Sequence, residues 1–145
     1  MNTNREVLLS ILKTSNLLMK TADRLFSKHI LTDVQFNILM ILKEAPKEGL
    51  SQQQISEKLV VTKSNMVGLL DRMERSGLVE RRVHPTDRRY HCVVLMLAGK
   101  KILEKVEVEY FMEVDRIMSP LNESDKKTVI AATEKVRNFL MSQRK

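Results

Sequence analysis

The sequence predicts a mainly α-helical fold with one small β-hairpin, and three observations support this. Only 4 Gly and 3 Pro occur in 145 residues, whereas β-sandwiches, barrels and propellers need turn residues roughly every ten positions. Apolar residues recur at helical spacing over most of the chain, and the spacing changes to two residues only after Gly77. With 43% hydrophobic residues, the chain can bury a core as a single domain, 1–145, without disulfides.

Two helices are expected before residue 46. The first, over about 5–28, carries an amphipathic stripe of apolar residues, namely Leu8, Ile11, Leu12, Leu18, Ala22, Leu25 and Phe26. The second begins near Thr32 and stops before Pro46, because proline disfavours helix at the residue before it.

A pair of short helices follows. Ser51 and Gln54 have the spacing of a capping box, which predicts a helix beginning at Ser51. From Thr62 a second stripe runs to a terminating Gly77. Its members recur at i, i+3, i+4 and i+7, and they are Met66, Leu69, Leu70 and Met73.

A hairpin and two long helices complete the chain. The period-two stretches 78–83 and 91–95 flank a Pro85–Asp87 turn, which predicts a β-hairpin. Helical patterns then run over about 97–119 and onward from Asn122, where Asp125 gives a second capping-box spacing.

The chain is basic, with 25 Lys and Arg against 18 Asp and Glu and a formal net charge of +7. Such a charge suits a polyanionic partner, although it also serves solubility. The densest basic cluster lies at the predicted hairpin and contains four Arg against one Asp, namely Arg81, Arg82, Arg88 and Arg89 with Asp87.

A short helix, a turn, a second short helix and a basic hairpin form the order of a winged helix-turn-helix. The second helix of such a pair enters the major groove of DNA, so its N-terminal half should carry the contacts. The candidates on this recognition helix are Thr62, Lys63, Ser64, Asn65, Val67, Gly68 and Arg72. The alternative is a solvated surface helix with no ligand.

Each candidate suits a particular DNA contact. Asn65 can pair with adenine, and Val67 can pack on a thymine methyl group. Lys63 and Ser64 suit phosphates, and Gly68 lets the backbone approach closely. In the hairpin, we expect Arg82, Arg88 and Arg89 to contact phosphates or a narrow, A·T-rich minor groove.

The stretch TKSNMVGLLDRMERSGLVERRVHPTDRRYHCVVLMLAGK, residues 62–100, resembles the multiple-antibiotic-resistance regulator (MarR) family of winged-helix transcription factors. The wing pattern GLVERR and DRR carries this resemblance. It implies a homodimer that binds double-stranded DNA at a pseudo-palindromic operator, usually as a repressor relieved by a small phenolic or lipophilic effector or by oxidation. It also implies dimerisation through residues 1–28 and 97–145, around a DNA-binding module at 32–95.

The resemblance further implies roles in the wing. Asp87 would brace the wing by pairing with basic side chains, and Arg89, with Arg88 as a second candidate, would enter the minor groove. Two departures stand out. Met96 replaces the family's usual Thr, which removes a helix cap worth about 1 kcal/mol. Val67 and Gly68 stand where many members carry Thr and Arg, which leaves fewer side chains for direct contact with bases.

Enzymatic chemistry has little support in the sequence. No GxSxG, Walker, HExxH or paired-carboxylate motif occurs, and His29, His84 and His91 lack metal-ligand spacing. We therefore expect no enzyme activity, no metal and no cofactor. Cys92 fits an ordinary strand thiol better than a redox sensor. A thiol redox enzyme at Cys92 is a weak alternative.

The main alternative function is a helical protein–protein adaptor whose basic hairpin docks on an acidic partner. No apolar run approaches the roughly 18 residues of a membrane span, and the N-terminus lacks the pattern of a signal peptide. With one Cys in the chain, we expect a cytoplasmic protein with no membrane association.

Overall fold

The structure is a computed structural model that describes residues 2–59 and 65–144. Its elements follow the predicted order, so the mainly α fold with a small hairpin is confirmed. The six helices are α1 (Thr3–Ser27), α2 (Asp33–Lys43), α3 (Gln52–Lys58), α4 (Met66–Arg75), α5 (Leu97–Met118) and α6 (Glu123–Ser142). The two strands are β1 (Val79–Val83) and β2 (His91–Leu95).

Side-chain caps fix several helix starts. Both predicted capping boxes are confirmed, because Ser51 with Gln54 caps α3 and Asn122 with Asp125 caps α6. Thr32 caps α2 in the same way. Each cap satisfies backbone N–H groups that have no partner within the helix.

The hairpin is held to the loop before α3. Strands β1 and β2 are antiparallel, with Val79 opposite Leu95 and Val83 opposite His91. Leu50 exchanges two backbone hydrogen bonds with Val93 of β2, at 2.7 and 3.1 Å. At Gly49, whose φ is +84°, a Cβ would lie 2.2 Å from the Val93 carbonyl oxygen, so only glycine fits this contact.

The chain divides into two compact units, residues 1–107 and 108–145. The first contains α1 to α4, the hairpin and the first half of α5. Its core draws fully buried side chains from α2 to α5 and both strands, namely Phe36, Ile38, Leu39, Ile55, Leu70, Met73, Val79, Val93, Leu103 and Val106. The second unit contains the rest of α5 and α6, and none of its described residues is buried.

Helix α4 differs from its prediction at one end. Its apolar stripe is buried as expected, but the helix begins at Met66 with Asn65 as its N-cap. Thr62, Lys63 and Ser64 lie outside the described residues. None of the described helices is long and apolar enough to cross a membrane.

The start of α5 bears on the missing cap at Met96. The Met96 N–H donates to the Leu78 carbonyl at 3.0 Å, and the Met96 carbonyl accepts from Lys100 at 2.9 Å. The backbone at this junction is therefore held by the turn that leads into β1.

Candidate nucleic-acid interface

Helix α4 buries one face and exposes the other. Met66, Leu69, Leu70 and Met73 pack inward, which leaves Val67 54% exposed on the outer side. Arg72 is also exposed. Arg75 is a further exposed base on this helix, and sequence reasoning passed over it by favouring the N-terminal half. The helix therefore offers an apolar group and two cations to a ligand.

Asn65 has a structural role at the start of α4. Its Oδ1 accepts the Gly68 N–H at 3.1 Å, which satisfies one of the free donors of the first turn. A Cβ on Gly68 would lie 2.7 Å from the Asn65 Nδ2. Gly68 thus makes room for the capping side chain. The Oδ1 that accepts the Gly68 N–H is also the atom that would accept from adenine, so the cap and the predicted base contact share one oxygen.

The tip of the wing is organised by Asp87. The Arg89 guanidinium donates to both oxygens of this carboxylate, with Nε to Oδ1 at 2.9 Å and Nη2 to Oδ2 at 2.8 Å. The Arg89 backbone N–H adds a third bond at 3.1 Å. These bonds lower the pKa of Asp87 and raise that of Arg89. The Arg89 side chain is nevertheless 89% exposed, so it is held in place and still accessible.

His84 shapes the same turn and was missed by sequence reasoning as a wing residue. Its Nδ1 accepts the backbone N–H groups of Thr86 and Asp87, each at 3.2 Å. Its ring packs on Tyr90 with the centroids 4.8 Å apart. The signal in the sequence was an imidazole three residues before the bracing Asp87, where an acceptor can cap the turn.

Arg82 and Arg88 differ in their partners. The Arg82 guanidinium binds the Glu80 Oε2 at 2.9 and 3.1 Å on its own strand. Such exposed pairs contribute at most about 1 kcal/mol, so Arg82 can exchange Glu80 for a phosphate. Arg88 is exposed and has no hydrogen bond or ion pair within the described part of the chain.

Arg81 is directed onto α4 and away from the wing tip. Its Nη1 pairs with the Asp71 Oδ1 and lies 3.6 Å from the Glu74 Oε1. Its Nη2 donates to the Val67 carbonyl oxygen at 3.2 Å, and its backbone N–H donates to the Glu74 Oε2 at 2.7 Å. The sequence placed Arg81 in the basic cluster, but it could not show which of the four Arg side chains turn inward.

Cys92 is buried in β2, with 3% of its surface exposed. Burial raises the pKa of its thiol, and the nearby Glu48 carboxylate raises it further. Because the thiolate is the reactive form, burial and the raised pKa both favour an unreactive thiol.

A cavity of about 750 Å³ lies where the end of α1, the start of α2 and Ile102 of α5 meet. Its lining combines apolar and polar side chains, including Phe26, His29, Ile30, Leu31, Asp33, Leu78 and Ile102.

Comparison with known proteins assigns the family. A sequence model of the MarR family matches residues 31–89. The HTH-type transcriptional repressor YetL of Bacillus subtilis (strain 168) is 31% identical over 121 residues, which are 83% of this chain and 72% of YetL. The HTH-type transcriptional regulator PecS of Dickeya dadantii (strain 3937) is 30% identical over 134 residues, 91% of this chain and 80% of PecS. The chain belongs to the MarR family.

Solved structures agree with this MarR-family fold. AbsC, a MarR family transcriptional regulator from Streptomyces coelicolor, superposes with a TM-score of 0.90 at 23% identity, covering 99% of this chain and 97% of AbsC. Sco3205 from the same organism, solved in complex with DNA, gives a TM-score of 0.87 at 21% identity, covering 97% of this chain and 89% of Sco3205. The winged-helix architecture is therefore common to all three.

Proposed function

We propose that this MarR-family chain is a sequence-specific, double-stranded DNA-binding transcriptional repressor that acts as a homodimer on a pseudo-palindromic operator. One observation carries the proposal: the exposed face of α4 and the Arg-bearing hairpin lie in one packed unit and are joined by Arg81. The names of YetL, a repressor, and of Sco3205, solved with DNA, support the same function.

In this proposal α4 lies in the major groove and the wing follows the adjacent backbone or minor groove. Val67 and Arg72 are exposed for base or phosphate contact, and the other candidates Thr62 to Asn65 precede them in the chain. At the wing, Arg82, Arg88 and Arg89 supply positive charge. Asp87 holds Arg89 until a phosphate or a base edge competes for its guanidinium.

Dimerisation would use the apolar faces of the terminal helices, within 1–28 and 97–145. Large apolar side chains on these helices are exposed in the single chain, which is unusual for a monomer and typical of an interface. They include Val7, Leu8, Ile11, Leu12, Leu17, Leu18, Phe111, Met112, Val129, Val136, Phe139 and Leu140. A symmetric pair would place the two α4 helices in successive major grooves, about one turn of DNA apart.

The effector, a small phenolic or lipophilic molecule, would occupy the 750 Å³ cavity at α1, α2 and Ile102. Phe26 and Leu31 provide apolar contact, and His29 and Asp33 provide polar groups. To relieve repression, the molecule must bind the DNA-free state more tightly than the DNA-bound state. Isothermal titration of candidate phenols with and without operator DNA measures this difference.

Selection from a random duplex pool tests the function. We expect the purified protein to enrich an inverted repeat whose half-sites lie about one helical turn apart, with affinity that falls steeply with salt. A scrambled duplex of the same composition is the control. Weak binding without enrichment, governed only by salt, would favour the adaptor that docks an acidic partner.

A further inference from the structure

We propose that Arg81 is a positioning residue for DNA recognition. It pairs with two carboxylates on the recognition helix α4, offsets part of their negative charge and fixes the wing against that helix, and it does not contact phosphate itself. This inference rests on the proposed function, because it assigns a role within the same DNA-binding unit.

The contacts of Arg81 differ in kind from those of the other three arginines in the cluster. Its guanidinium reaches the Asp71 carboxylate, the Glu74 carboxylate and the Val67 carbonyl, all on α4. Its side chain is 26% exposed, against 89% for that of Arg89. A planar guanidinium has five N–H donors in a fixed fork, so one side chain can hold several acceptors at once.

The charge and the position of Asp71 explain why its contact with Arg81 matters for DNA binding. At 100° per residue, Asp71 points away from the buried stripe of Met66, Leu69, Leu70 and Met73 and toward the side that would meet DNA. A carboxylate there repels the phosphate backbone. Arg81 offsets that charge from within the protein and lies close enough to Glu74 to weaken the effect of its carboxylate as well.

The same contacts also fix the position of the hairpin relative to α4. Arg81 lies opposite Val93 in the hairpin, and Val93 exchanges backbone hydrogen bonds with Leu50 just before α3. The fork of Arg81 therefore joins α4 to a hairpin already anchored to the start of the helix pair. Its removal should uncouple the wing from the major-groove helix as well as expose two carboxylates.

A double-mutant cycle tests whether Arg81 acts through these carboxylates. Arg81→Ala is compared in the wild-type background and in an Asp71→Asn/Glu74→Gln background, by titration of the selected operator. We expect a loss of affinity of about tenfold or more in the wild-type background and of about threefold or less in the neutralised one. Equal losses in both backgrounds would mean that Arg81 contacts DNA directly and would overturn the proposal.

Arg82→Ala provides the contrast within the same strand. Because Arg82 pairs with Glu80 on its own strand and not with α4 in the described part of the chain, we expect its substitution to cost the same factor in both backgrounds. Arg81→Lys keeps the charge and loses the fork, so its ratio of operator to scrambled-duplex affinity should fall while its salt dependence stays close to that of the wild type.

A second variant and the wild-type protein itself provide two further measurements. If Arg81→Ala fails to fold by circular dichroism, Asp71→Asn/Glu74→Gln alone is measured, and it should bind a scrambled duplex more tightly than the wild type does. Unchanged non-specific affinity would contradict the proposal. If the wild-type protein enriches no duplex, the proposed function is refuted. If the wild-type protein does bind but Arg81→Ala costs the same factor in both backgrounds, only the role of Arg81 is refuted.

Discussion

Helices α4 and α6 are both amphipathic, yet only α4 buries its apolar face within the chain. Leu70 of α4 is fully buried, whereas Leu140 of α6 is 58% exposed. The partners of α4 lie in α3 and the hairpin, but α6 has no buried residue at all. The DNA-binding unit therefore forms its core within one chain. The apolar face of α6 stays exposed in the single chain and requires a further surface to cover it.

Truncation of the α4 core should have the largest effect. Leu70→Ala removes a fully buried side chain, and we expect it to lower the free energy of unfolding by about 2–5 kcal/mol. Urea denaturation at a fixed protein concentration measures this. Ile30→Ala, at a position that is 96% exposed, is the matched control and should change the value by less than about 0.5 kcal/mol. Equal losses would mean that the α4 core is not packed as described.

A charge on the apolar face of α6 should act on assembly. Phe139→Glu places a carboxylate among exposed apolar side chains, and we expect it to weaken dimerisation by about 2–3 kcal/mol. Analytical ultracentrifugation over a concentration series measures the change. Asn138→Glu adds the same charge on the other side of the helix and should leave the dimer intact. A dimer that tolerates Phe139→Glu would place the interface elsewhere.

The N-cap of α4 should contribute less. Asn65→Ala loses the hydrogen bond to the Gly68 N–H, and we expect a loss of about 1 kcal/mol in unfolding free energy. Asn65→Asp keeps the cap and should restore that stability. On the DNA, Asn65→Ala should relax the preference at one base pair. Uniform weakening across all duplexes would make Asn65 a backbone contact.

Gly68 offers a smaller, coupled effect. Alanine normally stabilises a helix interior by about 1 kcal/mol over glycine, but a Cβ here would displace the Asn65 cap. We expect Gly68→Ala to be close to neutral in the wild-type protein and stabilising in the Asn65→Ala background. Thermal unfolding of the four proteins measures this coupling, and an additive result would show that the cap and the glycine are independent.

Cys92 should show the smallest effect on stability but a clear effect on reactivity. Its folded pKa is raised by burial and by Glu48, so the folded thiol keeps its proton at pH values where the unfolded thiol ionises. The resulting stabilisation is present below the unfolded pKa and is lost as the pH rises through the folded pKa. We expect alkylation by iodoacetamide at pH 8 to be slow in the native protein and fast in urea. Fast native alkylation would contradict an inert cysteine.

The sequence predicted the element order because each element has a local signature. The capping residues Ser51 and Asn122 and the period change after Gly77 depend only on neighbouring residues. The start of α4 was predicted at Thr62 because the apolar stripe cannot distinguish a first turn from a cap. Asn65 suits both roles, and the structure uses it as the cap.

The candidate site was less accessible to prediction. Which arginines face outward depends on tertiary contacts: Arg81 finds Asp71 ten positions earlier, and no local pattern reveals that pair. His84 was likewise considered only as a metal ligand, and rejected because its spacing does not fit one, whereas the hairpin turn uses its Nδ1 as an acceptor. The roles in DNA contact of Val67, Arg72, Arg82, Arg88 and Arg89 remain predictions.

The most direct test of the central claim compares the affinity of the protein for two duplexes. One is the selected inverted repeat, and the other is the same duplex with about five extra base pairs, half a helical turn, between its half-sites. If two copies joined through their apolar helices each present one α4 and one wing, the insertion should reduce the affinity to that of a single half-site. Equal affinity for the two duplexes would contradict the claim, because each half-site would then be read independently.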